Sequence, residues 1–309
     1  MIYRERNGKE VRGNDGQDRL ISLMYQTAVG RMAVRLLVNP VISEIGGVLM
    51  DSTLSGLAVK PFVKRNGIDL SQYEETGYRS YNDFFTRRIR EGMRPVDPEP
   101  SHLVSPCDGK LTVYPVTRNG RFRIKHTCYT VKDLLRSREL SARYLGGTAL
   151  VFRLTVDDYH HYCYVDGGKK SSNRRIPGVL HTVNPAANDV YPIYKENARE
   201  YSLLKSEHFG TILMMEVGAL MVGRIVNQQG KAQVARGEEK GYFAFGGSTV
   251  ILLLEPGSVR IDSDIRKNSR EGVETIVKMG EKIGEAFISV RSPREKGKDK
   301  YHEISNSSF

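Results

Sequence analysis

The chain has 309 residues, 39% of them hydrophobic and 27% charged, which is enough apolar content for a packed core and excludes a disordered chain. Its 47 Lys and Arg exceed its 36 Asp and Glu by 11, a balance that suits an anionic partner, either nucleic acid or an acidic membrane surface. No zinc-finger spacing, RNP-type aromatic motif or long basic run is present, so nucleic acid is set aside. Cys107, Cys128 and Cys163 are odd in number and form no C-x-x-C pair, which fits a reducing compartment. The stretch from Met1 to Glu10 is too polar for a signal peptide, and no window of about 18 apolar residues offers a membrane-spanning helix.

Residues 1 to about 18 are polar, punctuated by glycine and expected to fray. From Leu20 the apolar positions recur at helical spacing through Leu37, with Arg31 and Arg35 on a different face and Pro40 as the stop. Two further apolar runs follow, Val41 to Met50 and Leu54 to Val63, the second carrying Lys60 and Lys64. Such helices either pack on their own domain or lie in a membrane interface. Ser80 or Asn82 caps another helix that leads into Arg87, Arg88 and Arg90, and Pro95, Pro98 and Pro100 mark a boundary.

Beyond Leu103 the pattern changes to short strands between Gly, Asn and Asp turns: Lys110 to Val116, Arg121 to Lys125, Ala149 to Leu154, His161 to Val165, Ile212 to Val217, Leu220 to Val226, Gln233 to Ala235, Tyr242 to Phe245 and Val250 to Leu254. Only Val131 to Leu135 and Asp264 to Arg270 read as helices there. The expected class is α+β. A helical region over 1–100 precedes a mainly antiparallel β domain over 101–290, and a mobile charged tail occupies 291–309. The stretches Ser105 to Leu111 and Val277 to Gly284 resemble the halves of a lipoyl-type barrel sandwich, although the carrier-lysine turn is missing.

Gly246-Gly247-Ser248 ahead of a β-branched run reads, by itself, as a turn entering a strand. It also permits chemistry, because glycine lets the backbone take a strained shape in which the Ser248 hydroxyl reaches the Gly247 carbonyl. That attack needs a base and an orienting carboxylate. The base candidates are His160, His161 and His181; the first two face opposite ways on an extended strand, so only one of them can address a given site. Asp108 is a carboxylate candidate, though Asp108-Gly109 is also an ordinary turn pair. His161 and Cys163 would share a face, but no complementary pair exists to complete a zinc site, so no metal is expected.

These pieces occur in a telling order. Asn82-Asp83-Phe84-Phe85, Arg94-Pro95-Val96-Asp97, Ser105-Pro106-Cys107-Asp108-Gly109, Asp158-Tyr159-His160, Val217-Gly218-Ala219 with Val222-Gly223, and Gly246-Gly247-Ser248-Thr249-Val250 together resemble the phosphatidylserine decarboxylase proenzymes, from roughly Leu20 to Phe287. The resemblance implies self-cleavage between Gly247 and Ser248, giving a β chain 1–247 and an α chain 248–309 headed by a pyruvoyl group derived from Ser248. That group would form a Schiff base with phosphatidylserine and release CO₂ to leave phosphatidylethanolamine. The carry-over makes Asp108 the acid of the cleavage triad, Ser248 the nucleophile and His160 the histidine of the Asp-Tyr-His motif. Many members have a second histidine three residues later, where this chain has Cys163, so His181 is held as the reserve base. The implied partners are phosphatidylserine in an anionic membrane surface and the chain's own two fragments, with a homodimer compatible. The implied location is peripheral, on the cytoplasmic face of the cell membrane. Two rivals stand beside this reading: a pyruvoyl-dependent decarboxylase of a soluble amino acid, and a non-enzymatic barrel-sandwich protein that binds a membrane or partner.

Overall fold

The computed structural model describes residues 2–13, 21, 23–74, 77–124, 127–184, 187, 191–219, 224–244 and 248–287. Four expectations above fall outside them: the conformation of Gly247, the first four residues of the strand from Leu220, most of the polar stretch after residue 13, and the tail 291–309.

The N-terminal region is helical, as its apolar spacing predicts. Helices Ala28–Leu37, Pro40–Asp51 and Val59–Asn66 follow one another, with a 3₁₀ turn Thr53–Ala58 before the last. Pro40 does more than stop the first helix. It opens the second, where its missing N–H is no loss because the first turn has no intrahelical acceptor for it. Ser80 is the cap of the short helix Tyr81–Phe85, its Oγ accepting the Asp83 N–H at 3.0 Å.

The β domain is built on an eleven-stranded sheet. Ten strands run in the order Ala232–Val234, Gly168–Lys170, Arg199–Ser206, Thr211–Val217, Ser248–Leu254, Thr148–Leu154, Gly109–Pro115, Glu274–Val277, Ile2–Arg4 and Glu10–Arg12, and Arg174–Ile176 also pairs with Arg199–Ser206. All neighbours are antiparallel except Ile2–Arg4 beside Glu274–Val277. The two central strands, Thr211–Val217 and Ser248–Leu254, are buried along their whole length, which is why both read as near-continuous apolar runs.

The first residues are ordered where fraying was expected. Ile2–Arg4 lies in the sheet, and Arg6 forms ion pairs with Asp262 at 2.8 Å, Glu281 at 3.3 Å and Asp264. Backbone pairing and charge hold this segment, and neither leaves a hydrophobic period in the sequence. Strand Arg199–Ser206 carries no clear strand signal either, since the charged Arg199, Glu200 and Lys205 leave only Tyr201, Leu203 and Leu204 as its apolar positions. The two barrel-sandwich pieces do meet: Thr275 pairs with Leu111, Val277 with Gly109, and Ser105 exchanges backbone bonds with Gly280 and Glu281 at 2.9 and 2.8 Å.

A second, three-stranded sheet consists of Arg224–Asn227, Glu239–Ala244 and His161–Cys163. Between Ala244 and Ser248 the chain leaves this small sheet and enters the centre of the large one.

Candidate active site

Ser248 begins a strand because Ser-Thr-Val-Ile-Leu-Leu-Leu is β-branched and apolar from there on. It pairs with Leu154, is fully buried, and its Oγ has no hydrogen-bond partner among the described residues. On the other side of the 245–247 segment, Tyr242 pairs with His161, and the Phe243 N–H donates to the His160 carbonyl at 3.0 Å. Both ends of that segment are therefore held by one stretch, residues 154 to 161.

The His160 ring is buried against Phe85, with centroids 3.9 Å apart. Its Nδ1 lies 3.0 Å from the Asp158 carbonyl oxygen, an atom that can only accept, so Nδ1 carries the hydrogen and Nε2 is left as a bare acceptor. Among the described residues no group bonds to Nε2. Burial, and after it the positive charge of Arg87, push the His160 pKa down to about 3, so the ring is neutral at working pH. His161 faces a different environment, as strand alternation requires: it stacks between Tyr159 and Tyr242, at 4.7 and 5.0 Å, and its Nε2 lies 3.2 Å from the Thr86 carbonyl.

Asp108 is buried but meets no histidine among its bonds to the described residues. Arg94 clamps it with two N–H groups at 2.8 and 2.7 Å, Lys278 approaches at 3.2 Å, and the Met279 N–H donates at 2.9 Å. Asp158 is the carboxylate within the histidine motif itself. Burial alone would raise its pKa, yet Lys110 at 2.6 Å and the Thr155 N–H at 2.7 Å hold it down to about 2. Lys110 stands two residues after Asp108, so the two carboxylates belong to one charged cluster beside His160.

Cys163, at the position where the resemblance implied a second histidine, is buried with its Sγ 3.8 Å from the Ser105 carbonyl. Burial pushes its thiol up to about pKa 12, so no thiolate is available to stand in for an imidazole. His181 packs on Tyr191 at 4.5 Å, with Nδ1 3.4 Å from the Tyr25 hydroxyl, and burial lowers its pKa to about 4. Asn197 ties this histidine's backbone to the centre of the sheet, its Nδ2 donating to the carbonyls of His181 at 2.7 Å and Gly218 at 2.8 Å. Sequence reading missed Asn197 and the buried Arg87. Nothing in the motif marks the first, and Arg87 stands in the basic run Arg87, Arg88 and Arg90, where no local pattern singles it out.

The sequence profile of the family described as phosphatidylserine decarboxylase matches residues 81–285, which span every residue of this site. Phosphatidylserine decarboxylase proenzyme 2 of Clostridium acetobutylicum is 46% identical over 266 residues, covering 86% of this chain and 91% of that protein. The phosphatidylserine decarboxylase proenzymes of Desulfitobacterium hafniense and Ruminiclostridium cellulolyticum are 38% and 37% identical, over 86% of this chain and 92% and 91% of their own lengths.

Proposed function

The chain belongs to the phosphatidylserine decarboxylase family, and from that premise we propose that it is a proenzyme that cuts itself before Ser248 and then decarboxylates phosphatidylserine. One observation carries the reading. Among the described residues, Ser248 Oγ is a buried donor without a partner and His160 Nε2 a buried acceptor without one, and the backbones of both residues stand at the ends of the same three-residue segment. An unsatisfied buried polar group costs about 1–3 kcal/mol, so two of complementary kind on residues at the two ends of one segment favour a proton relay over a plain turn. The printed name of the relatives, proenzyme, supports cleavage.

In this scheme His160 Nε2 takes the Ser248 proton as Oγ bonds to the Gly247 carbonyl carbon. The Gly247–Ser248 C–N bond breaks, leaving an ester and a free Ser248 amine. Loss of the Ser248 Cα proton expels Gly247 as a carboxylate, and water replaces the nitrogen, which leaves as ammonia. The orphaned Oγ fits this conversion, since Ser248 itself becomes the prosthetic group. The resulting pyruvoyl carbonyls supply an electron sink for the electrons released with CO₂. In this scheme His160 Nε2 then holds the proton that replaces the carboxylate, which its bare-acceptor state supports. The Asp158 carbonyl orients the ring, and the Asp108–Arg94–Lys278 cluster holds the neighbouring strand ends together.

The helical part of residues 1–100 is proposed as the membrane-contacting region and 101–290 as the catalytic domain, with residues 2–12 added to the latter. Of thirteen exposed large apolar side chains among the described residues, nine lie between Leu23 and Leu57. Concentration on one region is what an interfacial surface requires. Arg35, Lys60 and Lys64 are exposed beside them, and each such charge adds about 1 kcal/mol near an anionic surface. Arg87 does not contribute, being buried between Tyr73 and Phe84. Among the described residues no helix is long and apolar enough to cross a membrane.

Intact mass under denaturing conditions, for wild type beside Ser248→Ala, tests the cleavage. Two pieces in wild type only, residues 1–247 and a 62-residue remainder (309 − 247) with a blocked N-terminus, are expected. A single uncut chain in both would overturn it. Turnover of phosphatidylserine vesicles against free amino acids then separates the lipid enzyme from its soluble rival.

A further inference from the structure

Register places several residues level with Ser248. Arg175, Glu200, Glu216 and Val250 form one row across four strands, and side chains of a row share a face. Two residues along each strand, on the same face, come Ala198, Gly218 and Ser248; the Gly218 N–H donates to the Ala198 carbonyl at 2.9 Å, and Gly218 is one step beyond the Val217–Thr249 pair. Ala198 and Gly218 have almost no side chain, so this row leaves space next to the serine. A cavity of about 260 Å³ reaches the Ala198 and Gly218 part of this row, and Arg175, Leu180, Glu200 and Arg224 also line it.

The charges around this cavity are unbalanced. Arg224 pairs with Ala244, at the end of the strand that leads into 245–247, and Arg175 flanks Glu200. Both are exposed, and among the described residues neither makes an ion pair or side-chain hydrogen bond. Arg199, also in the wall, is different: its N–H groups are spent on the carbonyls of Leu134, Lys195, Asn197 and Asp133. Glu200 accepts from Asn227 at 2.6 Å. Two guanidinium groups that are uncommitted among the described residues therefore line a small cavity whose wall includes Ala198 and Gly218, the residues in register with the reacting serine. The volume is at the lower end for small-molecule pockets and suits a headgroup without its acyl chains. Those chains have a neighbouring surface, because the Leu180 N–H is bonded to the Val38 carbonyl at 3.0 Å, at the end of the first N-terminal helix.

We propose that Arg175 and Arg224 form an anion subsite that takes the phosphodiester of the substrate headgroup and thereby sets its amino-acid end against residue 248. Arginine suits phosphate oxygens because its planar fork offers paired donors. The inference rests on the decarboxylase reading for the identity of the ligand. It adds a reason why the enzyme would prefer a lipid headgroup to a free amino acid.

The test uses cleaved full-length protein, with processing checked by intact mass, comparing wild type with Arg175→Gln, Arg224→Gln and the double variant. Calorimetric titration with soluble glycerophosphoserine is expected to show about tenfold weaker binding for each arginine removed, about 1.4 kcal/mol each, and KM for phosphatidylserine vesicles should rise in parallel. Equal glycerophosphoserine binding by wild type and double variant, or none by either, overturns the subsite. Inorganic phosphate binding as tightly as glycerophosphoserine also overturns it, as a site for free phosphate. So does a loss of sedimentation with phosphatidylglycerol vesicles that matches the loss of turnover, since the arginines would then serve the bilayer surface. If wild type turns over phosphatidylserine and the double variant is unchanged, the subsite fails while the decarboxylase reading stands. If binding falls as expected but no phosphatidylserine is consumed by wild type, the subsite stands and the reaction reading fails.

Discussion

The carbonyl oxygen of Asp158 accepts from two side chains at once, His160 through Nδ1 at 3.0 Å and Arg87 through Nη2 at 3.2 Å. Arg87 thus fixes the acceptor that in turn fixes the histidine's tautomer, while its charge helps keep the ring neutral. His160→Ala is expected to slow self-cleavage by about 10²–10⁴-fold, the usual contribution of a general base, whereas His181→Phe should cleave within a few-fold of wild type. Arg87→Met is expected to slow cleavage at least tenfold and Arg87→Lys less. A time course of fragment appearance after refolding measures all four, and normal cleavage in His160→Ala with none in His181→Phe would exchange the two histidines' roles.

Cys163 is inert by environment, so Cys163→Ala should process at close to the wild-type rate. The thiols report the same burial. One cysteine, Cys128, is exposed, and Cys107 and Cys163 are buried. A thiol reagent should therefore label one site rapidly in the native protein and three after denaturation. Rapid labelling of all three without unfolding would contradict the buried thiol.

Acid should destabilise the protein through its histidines. His160 and His181 have native pKa values near 3 and 4 against 6.5 for an unperturbed ring. The unfolded chain therefore binds more protons below pH 6.5, and stability falls as the pH drops from 6.5 to about 4 through both rings and on to about 3 through His160, each tenfold difference in proton affinity between the two states contributing about 1.4 kcal/mol. Asp158, held near 2 against 3.8, extends the loss below pH 4. Melting temperatures of the uncleaved Ser248→Ala form across pH 7.5 to 4.5 should decline, with a shallower slope in Ser248→Ala/His181→Phe. A slope unchanged by the second substitution would remove His181 from the account.

Lys240 and Glu216 form a fully buried ion pair, 2.8 Å apart, that joins the small sheet to the central strand of the large one. Removing one partner leaves a buried charge alone, so Lys240→Met is expected to cost about 3–5 kcal/mol, and Glu216→Leu/Lys240→Met to recover much of it. Urea unfolding on the Ser248→Ala background gives both values. A double variant as unstable as the single would mean that the network with Asn227, and not the pair, matters.

Leu54 and Leu57 are 77% and 79% exposed, so replacing both with serine should leave melting unchanged. It should still weaken sedimentation with anionic vesicles at least tenfold, because each leucine removed from water is worth about 1.5–3 kcal/mol. Equal binding by variant and wild type would move the membrane surface elsewhere.

Periodicity and turn chemistry are local properties, and they placed the N-terminal helices, the Ser80 cap, the helix Val131–Leu135 and the strands around Ser248, while the ordered motifs carried the family. What they could not carry is partnership. Whether Arg87 is surface charge or a buried clamp, whether Asp108 meets a histidine or two cations, and whether residues 2–12 fray or join a sheet depend on groups up to 276 positions away. Those contacts leave no period in the sequence. Burial then decides the chemistry, because it is removal from water that keeps His160 neutral, makes Cys163 inert and leaves Ser248 without a partner.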